Sequence, residues 1–401
     1  MNLLLATTTI KSLGGGIGSY NYELIKLFSS YFKIFVISEI QNDFNEIVQI
    51  LFDNKKINNY DYCKDILNFI DDNQIDLIIN SSSRLIAILS PFIKCPIISI
   101  SHFTDGILAL KACFNHKFIN KIIVLSNAAK KYVIKFYKIK SDKIDVIYNF
   151  IGGNPPMNNK IRKVVNIVFP GGSSTKKGVD IVVDVLNLLI KTDLNFNFFW
   201  LGYSFLPIRR LSFFKNYSEL LKTTDPRIIF TGNLDRSEAK KLIENCNIFL
   251  LPSYGEGCAM TLLEAIHVGS IPIVIEAPHA SQEILEKGKF GFIVKKPYAK
   301  NIFNIIKRLI DDPEYHSDDY ELSYNYYNEY LNEKKWKESM IRIMEESLTE
   351  NKIYKKFNRF RFYKSLISYK LRESLEIFKT NLRSVKFFII LNSKGFMNKY
   401  S

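Results

Sequence analysis

Short apolar runs alternate with amphipathic stretches along most of the chain. Runs rich in Ile, Val, Leu and Phe predict strands that are buried on both faces, whereas apolar residues at spacings of three and four predict helices. In the first half, strands are predicted at residues 2–7, 33–38, 75–80, 96–101, 121–125 and 143–148, and helices at 19–28, 63–69 and 127–137. This regular alternation predicts a parallel sheet covered by helices on both sides.

The alternation restarts after residues 152–160, a polar stretch rich in Gly, Asn and Pro that is typical of a linker. Strands are then predicted at 165–169, 196–201, 227–230, 248–251 and 271–275, and helices at 179–190, 236–244, 261–267, 281–287, 299–311 and within 320–348. We therefore predict an α/β protein with two Rossmann-like β/α/β domains that face each other across a cleft. The domains are predicted at 1–150 and 164–349, joined by a linker at 151–163 and followed by a basic helical tail at 350–401.

Composition agrees with a two-domain globular protein. The chain has 401 residues, of which 47% are hydrophobic, so each domain can bury a core. Its five cysteines form no Cys-x-x-Cys pair and have mostly apolar neighbours, which predicts free thiols in a reducing compartment. The amino terminus is predicted to begin a strand and not a signal peptide, and no apolar run reaches the roughly 18 residues of a membrane span. We therefore expect a cytoplasmic protein.

The most informative stretch follows the predicted strand at 248–251. Glu256 lies between Gly255 and Gly257, which end the strand in a loop, and seven residues separate it from Glu264. The sequence after this loop favours a helix, so one acid is predicted at the carboxyl end of a strand and the other near a helix amino end. Ligands of open α/β sheets bind at that edge, and helix amino ends attract phosphate. The alternative is that both glutamates are solvated surface residues.

Two further glycine-containing loops each join a predicted strand to a predicted helix. The first contains Gly15 and Gly16, where backbone N–H groups can approach a charged oxygen closely, although a plain tight turn is an equal explanation. The second, residues 169–180, carries Lys177 just before a helix, where the helix dipole also attracts anions. The loop predicts a phosphate contact, with a solvated lysine as the alternative.

These stretches together resemble the retaining glycosyltransferases of family 4, which have the GT-B fold. The resemblance is carried by the acidic stretch with its Pro252-Ser253 lead-in, and by Lys177-Gly178, which match the family's Gly-Arg…Lys-Gly donor loop. Gly172 stands where the family has arginine. One phosphate contact must therefore be lost or replaced, with Lys176 or the backbone N–H groups of Gly172 and Ser173 as replacements.

The resemblance implies a role for each matching residue. Glu264 would bind the donor ribose, Glu256 would hold the sugar, and His102, at the end of a predicted strand, would face the sugar from the opposite domain. The alternative for a lone histidine is a structural role. Implied catalytic residues are His102 and Glu256, and implied donor-binding residues are Gly15, Gly16, Gly172, Lys176, Lys177, Asn233, Met260, Thr261, Leu262 and Glu264.

The implied function is transfer of a sugar from a UDP- or GDP-sugar to a hydroxyl group of a glycan or lipid-linked acceptor, as in synthesis of surface polysaccharide or lipopolysaccharide. No cofactor or metal is expected, because neither Asp-x-Asp nor a cluster with metal-ligand spacing occurs. The alternatives are a catalytically silent subunit that binds a membrane or a partner, and a sugar epimerase or phosphorylase of the same fold.

The tail is the most basic part of a chain whose net charge is +15. Residues 350–401 hold 13 Lys and Arg against three Glu, interleaved with aromatic residues and followed by apolar residues at roughly helical spacing. Such a helix can bind an anionic membrane surface or pack back on the core, and the aromatic content favours the membrane. Nucleic acid is not expected as a partner, because no recognised binding motif accompanies the charge.

Overall fold

The computed structural model describes residues 1–8, 10, 15–39, 47–104, 106–152, 164–172, 175–202, 225–277, 279–312, 314–315 and 318–397. Most of the predicted linker, at 153–163, lies outside these ranges, as does Ser173. Within them the chain forms two α/β domains, each built on one parallel sheet, so the predicted pair of Rossmann-like domains is confirmed.

The first domain contains a seven-stranded sheet, counted over the described residues, with the order β3-β2-β1-β4-β5-β6-β7. Its strands are β1 (Asn2–Thr7), β2 (Lys33–Ser38), β3 (Val48–Leu51), β4 (Leu77–Ser81), β5 (Ile97–Ser101), β6 (Lys121–Val124) and β7 (Ile144–Val146). Its helices are α1 (Gly15–Phe28), α2 (Tyr60–Asp72), α3 (Arg84–Leu89), α4 (Gly106–Cys113) and α5 (Asn127–Tyr137). Side-chain caps define where two of these helices begin: Asn59 accepts from the N–H groups of Asp61 and Tyr62, and Ser126 accepts from that of Ala129.

The second domain has six parallel strands in its described part, in the order β10-β9-β8-β11-β12-β13. They are β8 (Val165–Phe169), β9 (Phe196–Leu201), β10 (Ile228–Gly232), β11 (Ile248–Leu251), β12 (Ile271–Ile275) and β13 (Phe292–Val294). The helices that follow β8 in the chain are α6 (Val179–Leu189), α7 (Arg236–Glu244), α8 (Met260–His267), α9 (Ala280–Gly288), α10 (Ala299–Asp311), α11 (Asp319–Tyr326), α12 (Glu333–Thr349) and α13 (Arg359–Met397).

Four elements escaped the sequence prediction, each for a physical reason. The strand β3 is a partly exposed edge strand with mixed polarity, and β13 is only three residues long. The helix α3 is buried at every position after Arg84, and α4 is almost as apolar, so neither shows the alternation of apolar and polar faces that predicts a helix.

The two last helices return to the first domain. The sequence interpretation grouped residues 333–349 with the second domain, but Trp336 of α12 packs among three aromatic rings of the first half of the chain. Ring centroids lie 5.7 Å from Tyr20, 5.9 Å from Phe28 and 4.5 Å from Phe150. One apolar core therefore runs continuously from the first domain into the second.

The helix α13 covers α3 and α4 of the first domain. Phe362, Leu366 and Tyr369 are buried in that domain's second core. The Ser365 hydroxyl donates to the carbonyl oxygen of Ile88 at 2.8 Å. The sequence left open whether the tail packs on the core, and the structure shows that one face of this helix does.

Trp336→Ala is expected to lower the free energy of unfolding by about 3–5 kcal/mol, because it leaves a cavity among aromatic rings that cannot collapse onto it. Chemical denaturation followed by circular dichroism measures the effect. Trp336→Phe keeps a ring in the site and serves as control. Equal unfolding midpoints for the alanine variant and the native protein would contradict this packing role.

Candidate active site

Both acids of the acidic stretch lie where they were predicted. Glu256 is on the loop between β11 and α8, at the carboxyl end of the sheet, and Glu264 is inside α8. Glu256 is 5% exposed and Glu264 is 7% exposed. The alternative of two solvated surface glutamates is therefore wrong for this structure.

Lys177 forms an ion pair with the Glu256 carboxylate. It ends the short helical turn Thr175–Lys177, which leads into α6. Glu256 is nearly buried, so its negative charge needs a partner, and Lys177 supplies one from the neighbouring loop. The two stretches that resemble the donor site thus meet in the structure.

Glycine at position 178 allows the lysine loop to approach the acidic loop. Gly178 has φ of +77°, and a Cβ atom there would lie 2.1 Å from the carbonyl oxygen of Pro252. The N–H group of Tyr254 donates to the carbonyl oxygen of Lys176 at 2.9 Å, and the Tyr254 hydroxyl donates to Asp180 at 2.7 Å. These contacts hold Lys177 in place beside Glu256.

Gly172 stands at the position where the family has arginine, and its backbone is fixed by two hydrogen bonds. Gly172 has φ of +54°, its N–H group donates to the carbonyl oxygen of Leu201 at 3.0 Å, and its own carbonyl accepts from the Trp200 indole at 2.8 Å. The expectation that the Gly172 N–H group replaces a phosphate contact is therefore wrong in this arrangement, because that group is already bonded. Lys176 remains exposed, with its Nζ atom 5.9 Å from the ring centroid of Phe103 in the first domain.

The amino end of α8 lies directly after the acidic loop. Ala259 is its N-cap residue and provides no side-chain cap. Met260 is buried, Thr261 is half-buried, and the N–H group of Leu262 already donates to the carbonyl oxygen of Ala259 at 3.1 Å. Leu262 therefore offers its N–H group to a phosphate only if that bond is shared.

The other predicted donor contacts lie at the edges of the two sheets. Gly15 begins α1, and Gly16 is exposed, with no atom within 4 Å of the place where a Cβ would stand. Asn233 is exposed in the turn after β10, and Asp235, not Asn233, caps α7 together with Glu238.

His102 is buried at the end of β5. Its Nε2 atom lies 2.7 Å from the Ser81 hydroxyl, which donates to the Asn21 side-chain oxygen, and its ring meets Tyr20 edge to face. Burial lowers the pKa of His102 to about 3, so the imidazole is neutral near pH 7. The contact with Ser81 directs the Nε2 atom into the first domain.

Side chains of the first domain hold the backbone of the acidic loop. The Thr104 hydroxyl donates to the carbonyl oxygen of Glu256 at 3.0 Å, and the Asn149 side chain donates to that of Cys258 at 2.7 Å. A Cβ atom at Gly257 would lie 2.0 Å from the carbonyl oxygen of His102. The loop that carries Glu256 is thus fixed between the two domains.

A second contact joins the domains beside this loop. The Glu283 carboxylate of α9 accepts hydrogen bonds from the N–H groups of Asn127 and Ala128, at 2.9 and 2.8 Å, and from the Tyr148 hydroxyl at 2.9 Å. An acid of the second domain therefore lies at the amino end of α5 in the first, where the helix dipole favours negative charge.

His279 is a site residue that sequence reasoning missed. It follows β12 at the same sheet edge, is 1% exposed, and its Nε2 lies 3.2 Å from the carbonyl oxygen of Ser253. Its pKa is lowered chiefly by burial, and the charges of Glu256 and Lys177 both act on it. Its place after a strand was the available signal, but no neighbouring residue in the sequence indicated a site.

The described part of the chain contains no group of three or more His, Cys, Asp or Glu side chains that could hold a metal ion. Within the same ranges, no helix combines the length and apolarity that crossing a bilayer requires.

Comparison with known proteins supports the fold and the family. The profile of Glycosyltransferase Family 4 matches residues 14–152, and that of Glycosyl transferases group 1 matches residues 154–326. HepE of Anabaena, crystallised with UDP-glucose, superposes with a TM-score of 0.71 at 16% identity, over 86% of this chain and 99% of that chain. The two domains thus have the GT-B fold, and the chain belongs to the group 1 glycosyltransferases of family 4.

This chain spans only part of the length of the curated relatives that it matches. The O-antigen biosynthesis glycosyltransferase WclY of Escherichia coli is 25% identical over 228 residues, which are 51% of this chain and 60% of that protein. The glycogen synthase of Thermodesulfovibrio yellowstonii is 26% identical over 183 residues, or 46% of this chain and 34% of that protein.

Proposed function

We propose that the protein is a retaining glycosyltransferase that moves a sugar from a UDP- or GDP-sugar to a hydroxyl group of a glycan or lipid-linked acceptor. The acceptor class we favour is that of bacterial surface polysaccharide or lipopolysaccharide, assembled at the cytoplasmic side of the membrane. The observation that carries the proposal is the ion pair of half-buried Lys177 with buried Glu256, on a loop that both domains contact. The WclY and HepE relatives support a polysaccharide role and a nucleotide-sugar donor.

The ion pair suggests how the site handles charge. When a sugar diphosphate binds, Lys177 can turn from the carboxylate to the phosphates, which frees Glu256 to accept hydrogen bonds from sugar hydroxyls. As the glycosidic bond breaks, negative charge grows on the leaving diphosphate, and a preorganised ammonium group stabilises it. The residues provide this stabilisation themselves, so we propose that no metal is required.

The remaining residues would position the donor. Glu264, inside α8, would accept hydrogen bonds from the ribose hydroxyls. The backbone N–H groups of Met260 and Thr261 are the α8 groups we assign to the phosphates. His102 would face the sugar from the first domain as a neutral ring whose Nε2 atom is already held by Ser81. The acceptor hydroxyl would then attack from the face that the diphosphate leaves, which retains the anomeric configuration.

A panel of UDP-, GDP- and dTDP-sugars, offered with and without a lipid-linked acceptor, tests the function. We expect one donor to be hydrolysed slowly without acceptor and to be consumed faster when the acceptor is present. NMR of the product should show that the anomeric configuration of the donor is retained. A silent subunit would release nucleotide from no donor. An epimerase would produce a new sugar whether or not acceptor is added. Either outcome would overturn the proposal.

Glu264→Gln is expected to weaken donor binding about tenfold or more, because hydrogen bonds to charged groups contribute more than neutral ones. The ligand-induced shift in melting temperature measures the loss. Glu286→Gln removes the same charge from an exposed position of α9 and should leave the shift unchanged. An unaltered shift for the Glu264 variant would remove the ribose role.

A further inference from the structure

The helix α13 has a second apolar face, directed away from the protein. Besides the buried Phe362, Leu366 and Tyr369, it carries apolar side chains that are largely exposed and recur at spacings of three and four. They are Phe360 at 78%, Tyr363 at 42%, Ile367 at 56%, Leu371 at 63%, Leu375 at 57% and Phe378 at 60%. We call this set the outer stripe.

The outer stripe is unusual for a monomeric surface. From Phe360 to Phe378 it runs along about 27 Å of helix at the standard rise per residue. A helix that packs on one side of a domain ordinarily exposes a polar face to water, and a contiguous apolar patch of this length marks an interaction site. The helical backbone continues to Met397.

The charges of the helix are arranged around this stripe. Its two acids within residues 359–380 are already paired: Glu373 lies 3.1 Å from Arg84 of α3, and Glu376 lies 2.8 Å from Lys379. Arg361, Lys364 and Lys370 are exposed beside the stripe. The outward side of α13 is therefore apolar and cationic.

A cavity of about 510 Å³ adjoins the stripe, between α13 and the carboxyl ends of α4 and α5. Leu375 belongs both to the stripe and to the cavity wall. Basic side chains contribute to the wall from three segments, through Lys117, Lys138, Arg372 and Lys379, and the one acid in the wall, Glu376, is paired with Lys379. The pKa of His116, another wall residue, is lowered by burial and by Lys143, Lys117 and Arg372, in keeping with a positive potential.

We propose that the outer stripe and this cavity dock the protein on an anionic phospholipid surface. The stripe lies in the interfacial layer of the bilayer, while the cavity takes the phosphate of a lipid headgroup. The charge pattern selects this occupant over a second copy of the chain, because two copies paired through the stripe would bring like cationic flanks together. Anionic lipid instead attracts those flanks.

Flotation of the full-length protein with vesicles tests the proposal. We expect binding to vesicles of phosphatidylglycerol and phosphatidylcholine, and at least tenfold weaker binding to phosphatidylcholine alone. The triple variant Ile367→Ser, Leu371→Ser, Phe378→Ser should lose at least tenfold of the affinity. The triple variant leaves the core residues Phe362, Leu366 and Tyr369 unchanged. It therefore avoids the unfolding expected when the whole helix is deleted.

Two control variants separate a docking surface from a general effect. Val48→Ser with Leu51→Ser removes exposed apolar groups from the edge strand β3 and should leave vesicle binding unchanged. Lys117→Gln with Arg372→Gln should reduce the preference for anionic vesicles. Melting temperature and vesicle-free donor hydrolysis of the triple variant should match those of the native protein, so failure here is distinct from failure of the proposed function.

Other results of these experiments would contradict the proposal. Native protein that floats with neither vesicle, or a triple variant that binds as well as native protein, overturns it. A native dimer that the triple variant converts to a monomer in light scattering, without vesicle binding, assigns the stripe to a second copy instead.

Discussion

Lys177→Ala is expected to lower turnover about 10²–10³-fold, which is the typical loss when one preorganised electrostatic contact to the leaving charge is removed. Lys177 is the cation that pairs with buried Glu256. Its removal takes away the compensation for the leaving diphosphate and also leaves a buried carboxylate without its partner. Single-turnover release of nucleotide from the preferred donor measures the effect on the chemical step.

Lys176→Ala is the matched control for this experiment. It removes the same charge from the adjacent position, but Lys176 is exposed and lies over Phe103, so its loss should be less than tenfold. Melting curves of both variants identify any damage to the fold. A fully active, folded Lys177→Ala protein would show that the phosphates are held elsewhere. Equal losses at both positions would point to general attraction of the donor and not to a specific contact.

Gly257→Ala is expected to reduce turnover about 100-fold while the protein stays folded. A Cβ atom at this position would lie 2.0 Å from the carbonyl oxygen of His102, so the loop or the first domain must move. The backbone of the loop also accepts hydrogen bonds from Thr104 and Asn149. A shift of about 1 Å in a group that positions substrate can cost this much.

Gly255→Ala provides the comparison for the same loop. The nearest atom to a Cβ at Gly255 is 3.9 Å away, on the ring of Phe103, so this change should be tolerated. Both variants are measured by turnover at saturating donor and by thermal unfolding. Comparable activity of the two alanine variants would show that the close approach of the domains at His102 does not position Glu256.

The positions of most strands along the chain could be predicted from the sequence. Parallel strands with both faces covered form continuous apolar runs, and the helices between them alternate apolar and polar faces. That is why β1, β8 and β11 were located at their observed bounds. The almost entirely buried α3 and the mixed edge strand β3 were missed because neither follows the period of its class.

The candidate site was predictable only in part. The loops of Glu256 and Lys177 could be located, because each follows a strand and precedes a helix at the carboxyl edge of the sheet. Their ion pair and the proximity of His279 could not, because these depend on which of several sheet-edge loops meet. The role suggested for the Gly172 N–H group was wrong because a tertiary hydrogen bond to Leu201 uses it.

The sequence by itself determined the strand–helix order, the two-domain division and the two stretches that carry the acids and the lysine, because periodicity and turn residues act over a few positions. Only the tertiary structure decided which side chains meet between the domains, and that α13 packs by one face while exposing the other. These outcomes depend on contacts between residues distant in the chain, such as Asn149 with Cys258 and Ser365 with Ile88, which no local pattern records.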